Sequence, residues 1–324
     1  ALAPALAPCE ASSARGDAPT TADPAYPEPV FVDATCGGAG HTLALLEDAR
    51  TRPRTVVAMD RDADAIAWAE DTLRPRADAL GVRLVLVHAP FSSLAEVLDD
   101  LQITAVSAIL ADLGVSSHQL DTAARGFSFR ADAPLDMRMD RSRGMSAADV
   151  LAAIEERELS RILREYGEEE DATRIARAIV AARPRTTAAL ADTVREAMSA
   201  RQRRRLGARI HPATRTFQAL RIHVNGELDE LKRLLDAAPE RLRGGGRLAI
   251  ISFHSLEDRL VKQRFSALSR PPAVPRGLPI PESERPSAAF SLPLGRRGQT
   301  PGDLELENNP RSRSSRLRAL ERCT

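Results

Sequence analysis

The stretch Pro29-Val30-Phe31-Val32-Asp33-Ala34-Thr35-Cys36-Gly37-Gly38-Ala39-Gly40-His41-Thr42 reads as strand, glycine turn and helix start in succession. Val30 to Val32 form an apolar, β-branched run with the composition of a buried strand, and the run stops at Asp33. A glycine-rich turn follows, and Leu43, Leu45 and Leu46 open a helical pattern. An open α/β sheet builds a ligand pocket in this way at the carboxyl end of its first strand. Glycine suits the turn because a Cβ would hold a ligand away from the backbone N–H groups. An ordinary tight strand-to-helix turn has the same local signature, so the flanking chain has to decide between the two.

Working outward, Thr55 to Met59 form a second apolar strand that ends in Asp60-Arg61-Asp62. This places an acid about 20 residues beyond the glycine turn, where an α/β nucleotide site puts its ribose partner. Residues 63–80 read as a helix. Val82 to Val87 read as a third strand ending in His88-Ala89-Pro90-Phe91, and Val106 to Ala111 as a fourth ending in Asp112-Leu113-Gly114. Strands alternating with helices predict a parallel, doubly wound sheet. From residue 116 the pattern changes to a long polar loop, 116–145, and then to amphipathic helices up to the basic run Arg201-Gln202-Arg203-Arg204-Arg205. Phe217, Leu220, Val224, Leu228, Leu231 and Leu235 predict one amphipathic helix. Arg247 to Phe253 predict a fifth strand, 270–300 an irregular excursion, and 309–322 a last strand. The sheet domain is therefore expected in two pieces, 29–117 and 210–324, around a helical insertion at 118–209. Residues 1–28, rich in Ala, Pro, Ser and Thr, are expected to be a disordered or truncated lead-in.

Composition narrows the class. The chain has 324 residues, 46 basic and 45 acidic side chains and a net charge of +1, so bulk charge selects no acidic partner. Nearly all the cations are Arg, which discounts any single Arg-rich run. Cys9, Cys36 and Cys323 are too dispersed for a disulfide framework or a zinc site, and fit a reducing, cytoplasmic setting. The six histidines show no metal-ligand spacing, and no metal is expected. No apolar run approaches the roughly 18 residues of a membrane span.

Three ligands compete for the glycine turn. A triphosphate loop needs a Lys before its hydroxyl residue, and this chain has His41-Thr42. A dinucleotide fingerprint wants Gly or Ala three residues after Gly40, where Leu43 stands. The remaining reading is S-adenosylmethionine. Asp33 and the turn would lie near its amino-acid moiety, Asp60 on its ribose, Phe91 against its adenine and Asp112 at the pocket floor.

With these residues in view, the chain resembles the bacterial 16S rRNA (cytosine-N4)-methyltransferase family, which has a mitochondrial relative. The resemblance rests on Asp33–Thr42, Asp60-Arg61-Asp62, Asp112–Asp121, Arg125–Phe129, Pro134–Asp140, Tyr166–Glu169, His211–Arg221 with Val224-Asn225, Ser252–Asp258 and Asn309-Pro310-Arg311. It implies a class I, Rossmann-like methyltransferase sheet with an inserted helical domain for substrate recognition. It also implies methyl transfer from S-adenosylmethionine to N4 of a cytidine in the small ribosomal subunit, near the decoding centre. Cofactor contacts carried over by position fall on Ala39, Gly40, His41, Asp60, Phe91, Asp112 and Gln119. The partner implied is 16S rRNA, with monomer and homodimer both open. The chain departs from the family at His118, where Pro is usual, and at Ala133, where Gly is usual. The family's short His-containing apolar segment ahead of the first strand has no match in 1–28.

The target atom sets the chemistry. An exocyclic amine with its lone pair delocalised into the ring is a poor nucleophile, so an acceptor on its N–H and close alignment are required. Asp112 stands at the tip of strand four as that acceptor, or as a cofactor contact alone. The base itself must be unstacked to expose N4. His254 and Ser255 either line the base pocket or cap a turn. Asp136, Arg138 and Asp140 either touch RNA or brace their loop. Arg201–Arg209 and Arg311–Arg318 either hold phosphates or are solvated faces. Two other functions are open: an RNA-binding assembly factor that has lost catalysis, and a NAD-type oxidoreductase, which Leu43 disfavours.

Overall fold

The computed structural model describes residues 28–48, 53–207, 211–273 and 286–324. All of the expected lead-in except Glu28, and Arg209 of the basic run, lie outside the described residues. The chain divides into two compact units, one formed by Ala1–Gly114 with Glu230–Thr324 and the other by Val115–Asp229.

The first unit carries a seven-stranded sheet. Its strands are β1 (Val30–Asp33), β2 (Thr55–Asp60), β3 (Arg83–His88), β4 (Val106–Asp112), β5 (Leu242–Ser252), β6 (Phe290–Ser291) and β7 (Arg316–Arg322), in the spatial order β3-β2-β1-β4-β5-β7-β6. β1 to β5 pair in parallel. Helices α1 (Gly40–Glu47), α2 (Ala63–Leu80) and α3 (Leu94–Asp100) connect the first four strands, and α12 (Ser255–Leu268) follows β5. Both faces of the sheet are covered, which is why its central strands are apolar throughout rather than alternating. Val32, Val57, Ile109 and Ile250 point into one core, and Phe31, Val56, Leu110 and Ala249 into the other. α2 buries Ala65, Ala69, Leu73 and Ala77, every fourth residue, and is closed by Gly81 at φ +66°.

The sheet is not wholly parallel as expected. β7 runs antiparallel to β5, with Ser252 opposite Arg316 and Arg247 opposite Glu321. The chain enters β7 beside the carboxyl end of β5, so the strand has to run back down.

The second unit holds α4 (Ser117–Asp121), α5 (Ala147–Ala153), α6 (Glu156–Gly167), α7 (Ala172–Ala182), α8 (Thr187–Ala197), α9 (Ala200–Leu206) and α10 (Thr214–Asn225). Leu151, Leu159, Ile162, Ile175, Ile179, Leu190 and Val194 form its core. The unit extends to Asp229 rather than ending at 209, because Phe217 and Leu220 of α10 pack into that same core. The single helix expected through 217–235 is two, α10 and α11 (Glu227–Ala237), parted at Gly226 with φ +60°. α13 (Asp303–Asn308) completes the helices among the described residues.

Candidate active site

Asp33 ends β1 fully buried, and its carboxylate shapes the glycine loop. One oxygen accepts the Thr35 amide at 3.1 Å and the other accepts the Thr42 hydroxyl at 2.6 Å, tying the loop's start to the first turn of α1. Burial pushes the Asp33 carboxyl above its usual range, against the pull of Thr42 and His41. Asp33 was expected near a ligand's amino-acid moiety, but it is a buried brace for the loop. Cys36 is also enclosed; burial, with Asp33 close by, pushes its thiol up to about 12, so it is inert.

The left-handed positions of the loop are Gly37, at φ +49°, and Ala39, at φ +65°, which is the N-cap of α1. Gly38 and Gly40 have another role. A Cβ built on either meets no protein atom within 4 Å, so their bareness opens space in front of the loop. Glycine at these two places is therefore not required by the packing of the loop.

Asp60, at the end of β2, accepts the Gly37 amide on Oδ2 at 2.7 Å and the Asp62 amide on Oδ1 at 2.8 Å. Each oxygen keeps a further lone pair for a hydroxyl donor. Burial outweighs those two amides and raises the Asp60 carboxyl from 3.8 to about 6. The backbone carbonyl of Asp60 accepts the Ala89 amide at 2.9 Å, two residues ahead of Phe91. Phe91 opens the short helical turn Phe91–Ser93 and packs half-buried against the sheet core. The acid at the end of β2 and the ring after β3 are thus set by neighbouring strand ends.

Asp112 is placed by two contacts from the glycine loop. Its amide donates to Thr35 Oγ1 at 2.6 Å, and its Oδ2 lies 3.1 Å from His41 Nε2. Its other oxygen, Oδ1, is buried and has no hydrogen-bond partner among the described residues. A buried carboxylate oxygen is costly to leave without a donor. Burial disfavours the His41 cation, but the hydrogen bond and charge of Asp112, with Asp33 behind it, outweigh burial and raise the imidazole above its usual value. The His41–Asp112 contact joins residues 71 apart in sequence.

Gln119 belongs to the second unit. Its side chain is buried, and it closes a capping box with Ser116 at the start of α4, where Oε1 accepts the Ser116 amide at 3.0 Å. His254 caps α12 and sits 3.1 Å from Glu257 Oε1, which fits a turn histidine.

Other singled-out residues act within their loop. Arg138 makes a two-point ion pair with Asp136, at 2.8 and 3.0 Å, and Arg143 pairs with Asp140 at 2.6 Å. These are braces. Arg125, buried, donates from Nη2 to the carbonyls of Arg138 and Met139. Asn225 accepts from the Met139 amide and donates to the Met137 carbonyl, each at 2.8 Å.

The residues of the first unit fit S-adenosylmethionine: two glycines with open space before them, a strand-end carboxylate with spare acceptors, an aromatic ring beside it, and an unpartnered buried carboxylate oxygen at the next strand end. With the strand order β3-β2-β1-β4-β5-β7-β6 and a reversed β7, they define a class I methyltransferase fold. The chain belongs to the MraW methylase family, whose profile matches residues 22–323. It is 50% identical over 301 residues to the ribosomal RNA small subunit methyltransferase H of Syntrophotalea carbinolica, covering 91% of this chain and 92% of that one. The protein of the same name from an Azoarcus species is 48% identical over 301 residues, covering 92% of each.

Proposed function

We propose that this protein transfers the methyl group of S-adenosylmethionine to N4 of a cytidine in the 16S rRNA of the small ribosomal subunit, near the decoding centre. The relatives' names support the rRNA class, and the amine target rests on the resemblance set out above together with the state of Asp112. The observation that carries the reading is the buried Asp112 Oδ1 without a partner, beside an Oδ2 already held by His41.

Bound S-adenosylmethionine supplies an electrophilic sulfonium methyl group. Asp60 accepts hydrogen bonds from the two ribose hydroxyls, and Phe91 offers its apolar face to the adenine. Ala39, Gly40 and His41 form the edge against the amino-acid end. Asp112 Oδ1 would accept a hydrogen bond from one N4–H of an unstacked cytidine, directing the amine's lone pair toward the methyl carbon, and would take that proton as the nitrogen–methyl bond forms and the sulfur–methyl bond breaks. Thr35 and His41 fix that carboxylate through the amide of Asp112 and through Oδ2, so its orientation costs no rearrangement during the reaction. No helix among the described residues is long and apolar enough to cross a membrane.

The test is incubation of the protein with tritiated S-adenosylmethionine and small subunits lacking the modification, followed by nucleoside analysis. Label on cytidine N4 of 16S rRNA is expected. Label on another atom overturns the amine assignment, and cofactor binding with no label in rRNA overturns catalysis on it.

A further inference from the structure

A second charged feature of the sheet unit lies outside the glycine loop. α12 and β7 wall a cleft of about 520 Å³, lined by Lys262, Ser266 and Arg270 from the helix side and by Arg316 and Arg318 from the strand, with Arg296 and Arg297 at its rim. Among the described residues six cations thus face a single carboxylate, Asp258.

The cleft is built rather than a chance meeting of surface arginines. Arg318 is buried and grips Asp258 at two points, Nε to Oδ1 at 2.7 Å and Nη2 to Oδ2 at 3.0 Å, while its Nη1 donates to the Arg296 carbonyl at 2.7 Å. Arg316 donates to the Arg297 carbonyl at 2.7 Å. The turn is held equally from behind. Gly298, at φ +66°, lies so close to β7 that a Cβ there would stand 2.5 Å from the Leu317 carbonyl oxygen. The two β7 arginines therefore fasten the backbone of residues 296 and 297, whose own side chains stay exposed. Among the described residues no carboxylate pairs with Lys262, Arg270, Arg296 or Arg297.

We infer that this cleft holds the phosphodiester backbone of the RNA strand flanking the target base. The inference rests on the RNA-methylating reading above. Three features select this ligand. The free cations are mostly Arg, whose planar fork matches phosphate oxygens. Lys262 and Ser266 stand one turn apart on α12 and Arg270 lies just past its end, so these donors form a row along one wall of the cleft. Among the described residues no aromatic side chain lines the cleft, so they offer nothing on which to stack a base and suit the backbone. Its position suits a flanking strand. Arg316 pairs with Ser252 of β5, and Ile251 beside it pairs with Asp112 of β4. The mouth of the cleft is therefore two strand spacings, about 10 Å, from the candidate acceptor.

The experiment is methyl transfer to unmodified small subunits by the full chain and by the triple variant Lys262→Glu/Arg270→Glu/Arg297→Glu, at a series of salt concentrations. Arg83→Glu, at the opposite end of the strands, is the control, and cofactor affinity monitors folding. The triple variant is expected to raise KM at least tenfold with kcat within about threefold. Its log KM against log salt should flatten by about 2, or roughly 0.7 for each phosphate that the variant no longer neutralises. If charge reversal perturbs cofactor binding, the Lys262→Gln/Arg270→Gln double variant takes its place, with a KM rise of about threefold expected. Unchanged KM and salt slope in a variant that still binds cofactor overturn the inference. If the wild-type chain methylates no rRNA, the functional reading fails separately. The cleft is then judged by fluorescence anisotropy with a single-stranded RNA of about 20 nucleotides, where equal affinity of variant and wild type overturns it.

Discussion

In the loop between β4 and α5 the polar groups close on one another: Arg125 on the carbonyls of Arg138 and Met139, Arg138 on Asp136, and Asn225 on the backbone of Met137 and Met139. The loop between β1 and α1 also satisfies its buried brace, Asp33, but the strand ends it touches keep spare acceptors on Asp60 and a buried, unpartnered Oδ1 on Asp112. It also sets two glycines where a Cβ would touch nothing. Both loops carry motifs of equal strength in the sequence. The difference teaches that one motif encodes a loop closed on itself, whereas the other borders strand ends that keep hydrogen-bonding capacity, which the proposed function assigns to a ligand.

Substitutions can break that comparison, and the largest effect is expected in the loop between β4 and α5. Gly126 has φ +72°, and a Cβ there would stand 2.6 Å from the Asp136 amide nitrogen and the Pro134 carbonyl oxygen. Gly126→Ala should destabilise the helical unit by about 3 kcal/mol, measured by chemical unfolding, with cofactor affinity at low temperature unchanged. Asn225→Ala removes the partners of buried backbone groups and should cost about 2 kcal/mol in the same measurement. A loss of cofactor affinity with stability intact, in either variant, would erase the distinction between the loops.

In the glycine loop the pattern should invert. Asp60→Ala should weaken S-adenosylmethionine binding by roughly 10- to 100-fold, by calorimetry, through loss of two hydrogen bonds to a charged acceptor. On the proposed reading the ribose hydroxyls bind the ionised Asp60 carboxylate, whose value burial raises to about 6. Affinity should therefore fall about tenfold as pH drops from 7 to 5. The stability of the ligand-free protein should move the other way. The folded state holds the Asp60 proton more tightly than the unfolded chain, so this contribution is lost as pH rises from about 4 to about 6. Gly40→Ala has the smallest effect on the fold, within about 0.5 kcal/mol, and should reduce cofactor affinity all the same. An Ala there that binds cofactor normally would show that the open space is not used.

Much of the sheet was legible because its strands end in recognisable ways. The Asp60 spacing and the glycine turn were readable as candidate ligand contacts at two strand ends, and the periodicity of 63–80 gave α2 in full. The reversal of β7 was not legible, since Leu317 and Ala319 alternate identically in either direction. The break at Gly226 had a visible signal, a glycine directly after Asn225 inside the apolar repeat, which the strength of that repeat masked. The His41–Asp112 contact depends on β4 lying beside β1, a neighbour relation that no local pattern records. For the same reason, the cations of α12 and β7 read only as scattered arginines until the fold brought them to one cleft.

The central claim is that Asp112 keeps an oxygen for the target amine while the rest of the loop holds the cofactor. Single-turnover methyl transfer to unmodified small subunits, with cofactor affinity measured in parallel on wild type and Asp112→Ala, tests it most directly. The account predicts a transfer rate at least roughly 100-fold lower in the variant, the scale on which removing an acid–base group slows a reaction, with cofactor affinity changed by less than about tenfold. Transfer at the wild-type rate, or a loss explained wholly by weaker cofactor binding, would contradict it.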